Sequence, residues 1–211
     1  MSLQDDRKEY LNGELGDEFL SENPRELFSA WLEEYRLLGN SDSTAFALST
    51  LSKDGTPDSR IVLLKEIRDE GFVFYTNYNS KKGRDIANNS NVHALFFWPE
   101  IERQIRVKGK VKKISRIDSE KYFLSRPKLS QLGALSSSQS EKIKSRTDLE
   151  LKFDSYKSKS GGDYQCPEDW GGYCLSFEKI EFWQGRRSRM HDRLVFEIKS
   201  NSEWSSFRVQ P

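Results

Sequence analysis

Hydrophobic positions near the start of the chain recur at helical spacing. Leu27, Phe28, Trp31, Leu32, Tyr35 and Leu38 lie three or four residues apart. Asn23 is a suitable N-cap, Pro24 suits the first helical position, and Gly39 is a natural stop. The pattern therefore predicts a helix over residues 24–38.

Beyond this helix the period changes to two, which is typical of half-buried strands. Turns are expected at Asp54-Gly55 and Glu70-Gly71. The predicted strands are 44–52, 59–67, 72–76, 92–98, 103–114, 173–183, 194–199 and 204–209. Helical spacing returns in 80–89, 117–126 and 138–157, whereas 159–169 reads as a loop. Residues 1–22 lack periodicity and are predicted to be a mobile arm.

This order of elements predicts an α+β protein built on an antiparallel, Greek-key-like barrel with flanking helices. Residues 23–211 are expected to form a single domain after the arm. The chain contains neither GxGxxG nor GxxxxGK[ST]. A phosphate-bearing cofactor would therefore have to be bound by side chains.

Composition narrows the class of protein. The 34 basic and 33 acidic residues give a net charge of +1, so the basic excess of a nucleic-acid-binding protein is missing. No apolar run approaches the roughly 20 residues of a membrane helix, and the charged start lacks the apolar core of a secretory signal. Cys166 and Cys174 alone are weak support for a disulfide framework. A soluble, cytoplasmic protein is expected.

Metal and triad chemistry have little support in the sequence. His93 and His191 are the only histidines, and no HExxH or CxxC occurs, so no metal site is expected. His191-Asp192 could suggest a triad with a serine, but adjacent strand residues point to opposite faces. That interpretation is therefore weak.

Two segments of the first half are candidates for anion binding. Residues 60–65, RIVLLK, form an apolar strand with a cation at each end, which could also be a strand whose ends reach solvent. Tyr75-Thr76-Asn77 is followed by a helix start with Lys81 and Lys82 in its first turn. The helix dipole disfavours lysine there unless an anion binds at that end. The alternative is a solvated run of charge.

Two further segments lie in the second half. Tyr122 and Arg126 share a helix face, and Pro127 turns the chain so that Ser130 can approach them, which suits a phosphate cradle. Tyr122 could equally be a half-buried core tyrosine. If the RMHDR segment is extended, Arg189, His191 and Arg193 share one face and need an anion among them. A basic edge strand that resists aggregation is the alternative.

Taken in order, these segments resemble one known family. The matching motifs are RIVLLK, FYTN with SKK, ERQIRVKGK, YFLSRP with SQLGA, SSQS, WGG, IEFWQG, RMHDR and a C-terminal RVQP. The ordered set spans nearly the whole chain and is similar to the pyridoxine/pyridoxamine 5′-phosphate oxidases. The resemblance implies a split-barrel flavoprotein and a homodimer with FMN sites at the subunit interface.

The resemblance also assigns residues to roles. It implies that FMN is bound by Arg60, Ile61, Val62, Leu63, Leu64, Lys65, Tyr75, Thr76, Lys81, Lys82, Gln104, Gln139, Ser140, Trp183 and Arg193. It implies that substrate is bound by Arg7, Lys8, Glu9, Tyr10, Lys65, Tyr122, Arg126, Ser130, Arg189, Met190 and His191. Arg189 and His191 are the implied catalytic residues, and residues 7–10 resemble a lid segment.

Three departures from the family pattern matter. Lys81 stands where arginine is common, Met190 replaces a more usual leucine, and residues 11–23 match poorly. In addition, Arg60 and Lys65 have opposite strand parity, so they share one site only if the strand twists or if they contact different ligands.

The implied activity is oxidation of pyridoxamine and pyridoxine 5′-phosphate to pyridoxal 5′-phosphate, with oxygen as acceptor. Hydrogen peroxide, and ammonia from the amine, would be released. Two alternatives remain: an oxidase of the same fold that acts on another ring system, and a non-catalytic binding protein for FMN or pyridoxal phosphate.

Overall fold

The computed structural model describes residue 4 and residues 8–39, 42–159, 162–200 and 203–211. Five α-helices lie in these ranges: α1 (Pro24–Leu37), α2 (Lys81–Asn88), α3 (Arg116–Ser125), α4 (Lys128–Ser136) and α5 (Arg146–Lys159). Short 3-10 helices cover Asp17–Ser21 and Arg187–Arg189. The α1 start is capped as predicted, because the Arg25 backbone N–H donates to the Asn23 side chain at 3.0 Å.

Nine strands lie in the described ranges. They are β1 (Ala45–Leu51), β2 (Pro57–Leu63), β3 (Glu66–Arg68), β4 (Gly71–Asn77), β5 (Asn91–Trp98), β6 (Arg103–Lys113), β7 (Trp170–Gln184), β8 (Asp192–Ile198) and β9 (Trp204–Arg208). Hydrogen bonding orders them β2-β1-β5-β6-β7-β4-β3, and β8 pairs with both β7 and β9. The pairs β3–β4, β4–β7, β7–β8 and β8–β9 are antiparallel.

The chain divides into two compact units. Unit 1 comprises residues 1–48, 93–109 and 177–211, and unit 2 comprises residues 49–92 and 110–176. The core of unit 1 is aromatic: Phe28 and Phe46 both pack on Phe96, and Trp31 meets Phe182 edge-on at 5.2 Å. Unit 2 has a smaller cluster centred on Phe123, Leu132, Tyr164 and Trp170.

The predicted helices at 24–38, 80–89 and 117–126 are confirmed to within two residues. The predicted helix over 138–157 is wrong at its start, because α5 begins at Arg146. Helix α4, which buries Leu132, was not predicted, because Pro127 and Gly133 are residues that usually interrupt helices. The predicted strand 59–67 is two strands, interrupted at residues 64–65.

The RMHDR segment is not extended, so the prediction of one shared strand face is wrong. Ser188 and Arg189 have φ values of 55° and 61°, and the strand begins only at Asp192. Because of this left-handed turn, Arg189 does not follow the alternation of strand faces that applies to Arg193.

The helices in the described ranges contain no stretch with the length and apolar character of a membrane span. Arg7, assigned to the substrate by the resemblance, lies outside the described residues.

Candidate functional site

Unit 2 contains a cavity of about 1040 Å³ that gathers most of the predicted anion-binding residues. The predicted residues that line it are Arg60, Ile61, Val62, Leu63, Lys65, Tyr75, Thr76, Lys81, Lys82, Tyr122, Arg126, Ser130, Gln139 and Ser140. Leu64 is buried and does not line it. Because β2 ends at Leu63, strand parity no longer separates Arg60 from Lys65, and both reach the same cavity.

The Arg60 guanidinium is fixed by an oxygen-rich wall. It donates to Thr50 Oγ1 at 2.7 Å and pairs with Asp58 at 2.8 Å and Asp85 at 3.8 Å. Lys81 pairs with the same two carboxylates, at 2.9 and 3.2 Å. The carboxylates therefore act as counter-ions that hold two cationic side chains beside the cavity.

Lys82 is the most deeply buried cation of this wall, at 8% exposure. Its Nζ donates to Thr76 Oγ1 at 3.1 Å, Gln139 Oε1 at 3.2 Å and Ser80 Oγ at 3.3 Å, all uncharged acceptors. Burial, with the nearby charge of Arg60, lowers the pKa of Lys82 to about 8. A bound anion would restore the charge compensation that these neutral partners cannot give.

The start of α2 adds backbone donors to these cations. Ser80 caps the helix, because its Oγ accepts the Gly83 N–H at 3.3 Å. Gly83 has no room for a side chain, since a Cβ would overlap the Tyr78 carbonyl. The close packing of this turn places Lys81 and Lys82 at the positive end of the helix dipole, where an anion is stabilised.

Three aromatic rings also line the cavity. Tyr75 stacks on Tyr122 with centroids 3.9 Å apart, and Trp170 continues the stack 5.6 Å from Tyr75. The Tyr75 hydroxyl donates to Glu66 at 2.7 Å, and burial together with that carboxylate raises the pKa of Tyr75. Such a stack offers a flat, apolar surface to a planar ring.

Arg126 lies at the end of this stack. Its guanidinium carbon is 4.8 Å from the centroid of the Trp170 ring, and burial lowers the pKa of Arg126. Its Nη1 is buried and has no hydrogen-bond partner within the described part of the chain. A buried guanidinium donor without an acceptor is unusual, and it fits an anionic ligand.

The turn after α3 brings Ser130 to the same cavity as predicted. The buried Gln131 side chain donates to the Arg126 carbonyl at 2.7 Å and to the Leu124 carbonyl at 3.1 Å. The Ser130 N–H donates to the Pro127 carbonyl at 2.8 Å. These bonds fix the turn, so Tyr122, Arg126 and Ser130 line one cavity.

The remaining predicted residues of the described chain lie in unit 1. The ring centroids of His191 and Trp183 are 4.7 Å apart, and the Tyr10 ring meets both rings edge-on with centroids 5.6 Å away. His191 Nδ1 accepts the Arg186 backbone N–H at 3.1 Å. Burial and the charge of Arg189 lower the pKa of His191. The neutral ring therefore carries its proton on Nε2.

Arg193 is held by a buried carboxylate that sequence reasoning missed. Glu181, 5% exposed, accepts from Arg193 at 2.9 Å and pairs with Arg106 at 3.1 Å. Arg193 also donates to the Gln210 carbonyl at 2.9 Å. In the β7–β8 register Trp183 faces Arg193, and Glu181, two residues before Trp183 on the same face, is the diagonal neighbour of Arg193.

Four other predicted residues of unit 1 are placed as follows. Gln104 is half-buried in β6, and Met190 is 68% exposed. Glu9 is exposed, and Lys8 pairs with Glu102 at 3.2 Å. Asp58, Asp85, Glu66 and Glu102 were all missed as partners, because isolated acidic residues have no distinctive spacing.

Comparison with known proteins identifies the family. A family model described as pyridoxamine 5′-phosphate oxidase matches residues 32–160, and a second, described as pyridoxine 5′-phosphate oxidase C-terminal dimerisation region, matches residues 170–211. The chain belongs to the pyridoxamine 5′-phosphate oxidase family. Its resemblance to that family, seen in the ordered motifs, is thereby confirmed.

Relatives match over nearly the full length. The pyridoxine/pyridoxamine 5′-phosphate oxidase of Leptospira biflexa is 48% identical over 206 residues, covering 97% of each chain. The enzyme of the same name from Cytophaga hutchinsonii is 46% identical, covering 100% of this chain and 99% of its own.

Solved structures agree on the fold. PhzG from Burkholderia lata, solved with tetrahydrophenazine-1-carboxylic acid, gives a TM-score of 0.88 at 26% identity, covering 94% of this chain and 98% of its own. A pyridoxamine 5′-phosphate oxidase-related, FMN-binding protein from Nostoc punctiforme gives a TM-score of 0.74 at 17% identity, covering 91% and 100%. The predicted α+β split-barrel fold class is confirmed.

Proposed function

We propose that this protein oxidises pyridoxamine 5′-phosphate and pyridoxine 5′-phosphate to pyridoxal 5′-phosphate with bound FMN and oxygen. Hydrogen peroxide is the second product, and the amine also yields ammonia. The observation that carries the proposal is the buried Arg126 Nη1, which has no partner among the described residues and lies at the end of an aromatic stack in a cavity of about 1040 Å³. The names of the full-length relatives support the same substrates.

The cavity residues fit FMN. Arg60, Lys81 and Lys82 surround the start of α2, where a phosphate would be bound by side chains and backbone N–H groups together. Thr76, Gln139 and Ser140 offer hydrogen bonds, and Ile61 to Leu63 offer apolar contact. When bound, FMN supplies hydride acceptance and passes the electrons to oxygen.

The substrate phosphate is assigned to Lys65, Tyr122, Arg126 and Ser130. A guanidinium, an ammonium and two hydroxyls can satisfy the oxygens of a phosphate, and the guanidinium can do so with two parallel bonds. Anchoring the phosphate restricts the rotation and translation of the pyridine ring before reaction. The aromatic stack beside Arg126 limits water around that anchor.

Gln104, Trp183 and Arg193 complete the FMN contacts in this proposal, and Arg189, Met190, His191 and residues 7–10 contact the substrate. The protein is proposed to act as a homodimer with FMN at the subunit interface. The match of residues 170–211 to a dimerisation region supports the dimer. A cytoplasmic location is also proposed, supported by Cys166 and Cys174, which are both free thiols.

His191 has a defined hydrogen-bonding capacity in this scheme. Because Nδ1 accepts the Arg186 N–H, Nε2 carries the proton of the neutral ring and donates a hydrogen bond to the substrate. Proton removal by the imidazole would first require its tautomer to change. His191 is therefore proposed to orient the reacting alcohol or amine through this hydrogen bond.

The decisive experiment mixes the FMN-loaded protein with pyridoxine 5′-phosphate without oxygen and follows the visible absorption of the flavin. We expect bleaching, recovery when oxygen is admitted, and formation of pyridoxal 5′-phosphate. A yellow protein that does not bleach would refute oxidation of this substrate, and a protein that cannot take up FMN would refute the cofactor assignment.

A second candidate is oxidation of another ring system, favoured by the TM-score of 0.88 with the phenazine-bound structure. That ligand is a carboxylic acid without a phosphate, so it would not require the Arg126 cradle. Bleaching of the flavin by tetrahydrophenazine-1-carboxylic acid, but not by pyridoxine 5′-phosphate, would favour this candidate. A non-catalytic binding protein would bind FMN and bleach with neither.

A further inference from the structure

Glu102 is a buried acidic residue in the turn between β5 and β6. It is only 2% exposed and has a φ of 57°, a left-handed conformation that residues with a Cβ rarely adopt. A carboxylate so buried must be compensated by donors or by opposite charge. The identity of those donors shows what this carboxylate does.

The Glu102 carboxylate has partners only in the N-terminal segment, residues 8–12, within the described chain. Its Oε2 accepts the backbone N–H groups of Leu11 at 2.6 Å and Asn12 at 2.9 Å. Its Oε1 pairs with Lys8 Nζ at 3.2 Å. Burial alone would raise the pKa of Glu102, but these bonds outweigh it and lower that pKa. The carboxylate therefore binds a segment about 90 positions away in sequence.

Tyr10 lies between these anchored positions. Its ring meets Trp183 and His191 edge-on, each with centroids 5.6 Å apart. It also lies against Gly185, where an added Cβ would be 2.7 Å from Tyr10 Cγ. The Gly185 N–H donates to the Glu102 carbonyl at 2.8 Å. The Glu102 side chain thus binds the residues on either side of Tyr10, and its main chain binds Gly185, on which the Tyr10 ring lies.

We propose that Glu102 is a positioning residue that fixes Tyr10 against His191 and thereby determines how the substrate ring is enclosed. The proposal rests on the proposed function, because His191 and Tyr10 are assigned to substrate there. Release of residues 8–12 would leave the buried Glu102 carboxylate without donors, so the arrangement in which they are bound to Glu102 is favoured. Other contacts remain when Glu102 is changed, among them Asn12 to the Glu100 carbonyl, Arg186 to the Gly13 carbonyl and Leu15 to Asp192.

Amide hydrogen exchange on the FMN-loaded full chain tests the anchor directly. In Glu102→Ala we expect the Leu11 and Asn12 amides to exchange about tenfold faster or more, because each loses a charged acceptor. Glu102→Gln keeps one acceptor oxygen and should rescue part of the protection. Unchanged exchange at both amides in folded Glu102→Ala would overturn the proposal.

Glu14→Gln is the matched control. It makes the same carboxylate-to-amide change just after the segment, on a side chain that is 79% exposed and pairs with Arg186 at 2.8 Å. Exposed pairs contribute little, so its exchange should match the unmodified protein. An equal loss of protection in Glu14→Gln and Glu102→Gln would show that any charge change frees the segment, which would refute the specific role of Glu102.

A double-mutant cycle tests whether Glu102 acts through Tyr10. Glu102→Gln should raise KM for pyridoxine 5′-phosphate several-fold, with a smaller effect on kcat, and should add little in a Tyr10→Ala background. Equal effects in both backgrounds would overturn the coupling. Altered exchange in a protein that does not oxidise the substrate would refute the proposed function while leaving the anchor established.

Discussion

Arg126 offers the sharpest test of the cavity, because substitution should separate binding from stability. Its Nη1 is buried without a partner in the described chain, while its guanidinium rests on Trp170. In Arg126→Met the aliphatic stem can still pack on the indole ring, but the charge and the donors are lost. Substrate binding should weaken while the ligand-free protein stays folded.

The magnitude follows from opposing effects. An unsatisfied buried donor costs about 1–3 kcal/mol, and a cation–π contact contributes about 0.5–2 kcal/mol. The two effects oppose each other, and at the middle of their ranges removing both changes the free energy of unfolding by about 1 kcal/mol. Loss of a hydrogen bond between charged groups, about 1.5–3 kcal/mol, should raise KM about 10- to 100-fold. The kcat should change little, since the anchor binds ground state and transition state alike.

The assay combines steady-state kinetics with urea unfolding of the FMN-free protein. Arg116→Met is the matched control, because Arg116 donates to the carbonyls of Cys166, Pro167 and Trp170. The Pro167 carbonyl keeps the Trp170 N–H, but the other two carbonyls lose their Arg116 donor, so the loss should cost about 1–3 kcal/mol of stability, with KM nearly unchanged.

An Arg126→Met variant that is as destabilised as Arg116→Met, with an unchanged KM, would refute the reasoning. That result would mean that the Arg126 guanidinium is structural and that its partner is not a ligand.

Three further predictions follow from the same residues. His191→Ala should lower kcat more than it raises KM, and an unchanged turnover number would remove His191 from the chemistry. The folded-state pKa of Lys82, about 8, is below the ordinary 10.5. Below pH 8 the buried ammonium is charged and lowers the free energy of unfolding by its full amount. Between pH 8 and 10.5 the folded protein loses this proton before the unfolded chain does, so the destabilisation is relieved. The stability of Lys82→Met relative to the unmodified FMN-free protein should therefore fall from pH 7 to pH 10 in urea unfolding, and a pH-independent difference would contradict this. Gly83→Ala should lower stability by about 1–3 kcal/mol and weaken FMN uptake, because the added methyl group meets the backbone carbonyl of Tyr78; normal FMN titration would contradict the role given to this turn.

Much of this architecture could be predicted from the sequence because its signals are local. The spacing of Trp31 and Tyr35 and the cap at Asn23 fix α1, and the i,i+4 relation of Tyr122 to Arg126 places both at one cavity. The RMHDR segment could not be predicted, because alternation presumes a strand and nothing in the sequence marks the left-handed turn at Ser188.

The sequence also did not predict which residues pair across the fold. Glu102 pairs with Lys8, 94 positions away, and Glu181 pairs with Arg106, 75 positions away, and no spacing rule contains either pair. Helix α4 was missed for a different reason: its amphipathic pattern is short, and Gly133 lies in its middle.

The two carboxylates beside Arg60 and Lys81 bear on the order of events when this protein matures. Asp58 and Asp85 already neutralise two of the three cations at the start of α2, leaving only Lys82 among uncharged partners. A newly made chain can therefore reach its folded form before any cofactor arrives, with one positive charge in excess. With FMN as the proposed cofactor, its loading would be a step that follows folding and depends on the supply of the flavin.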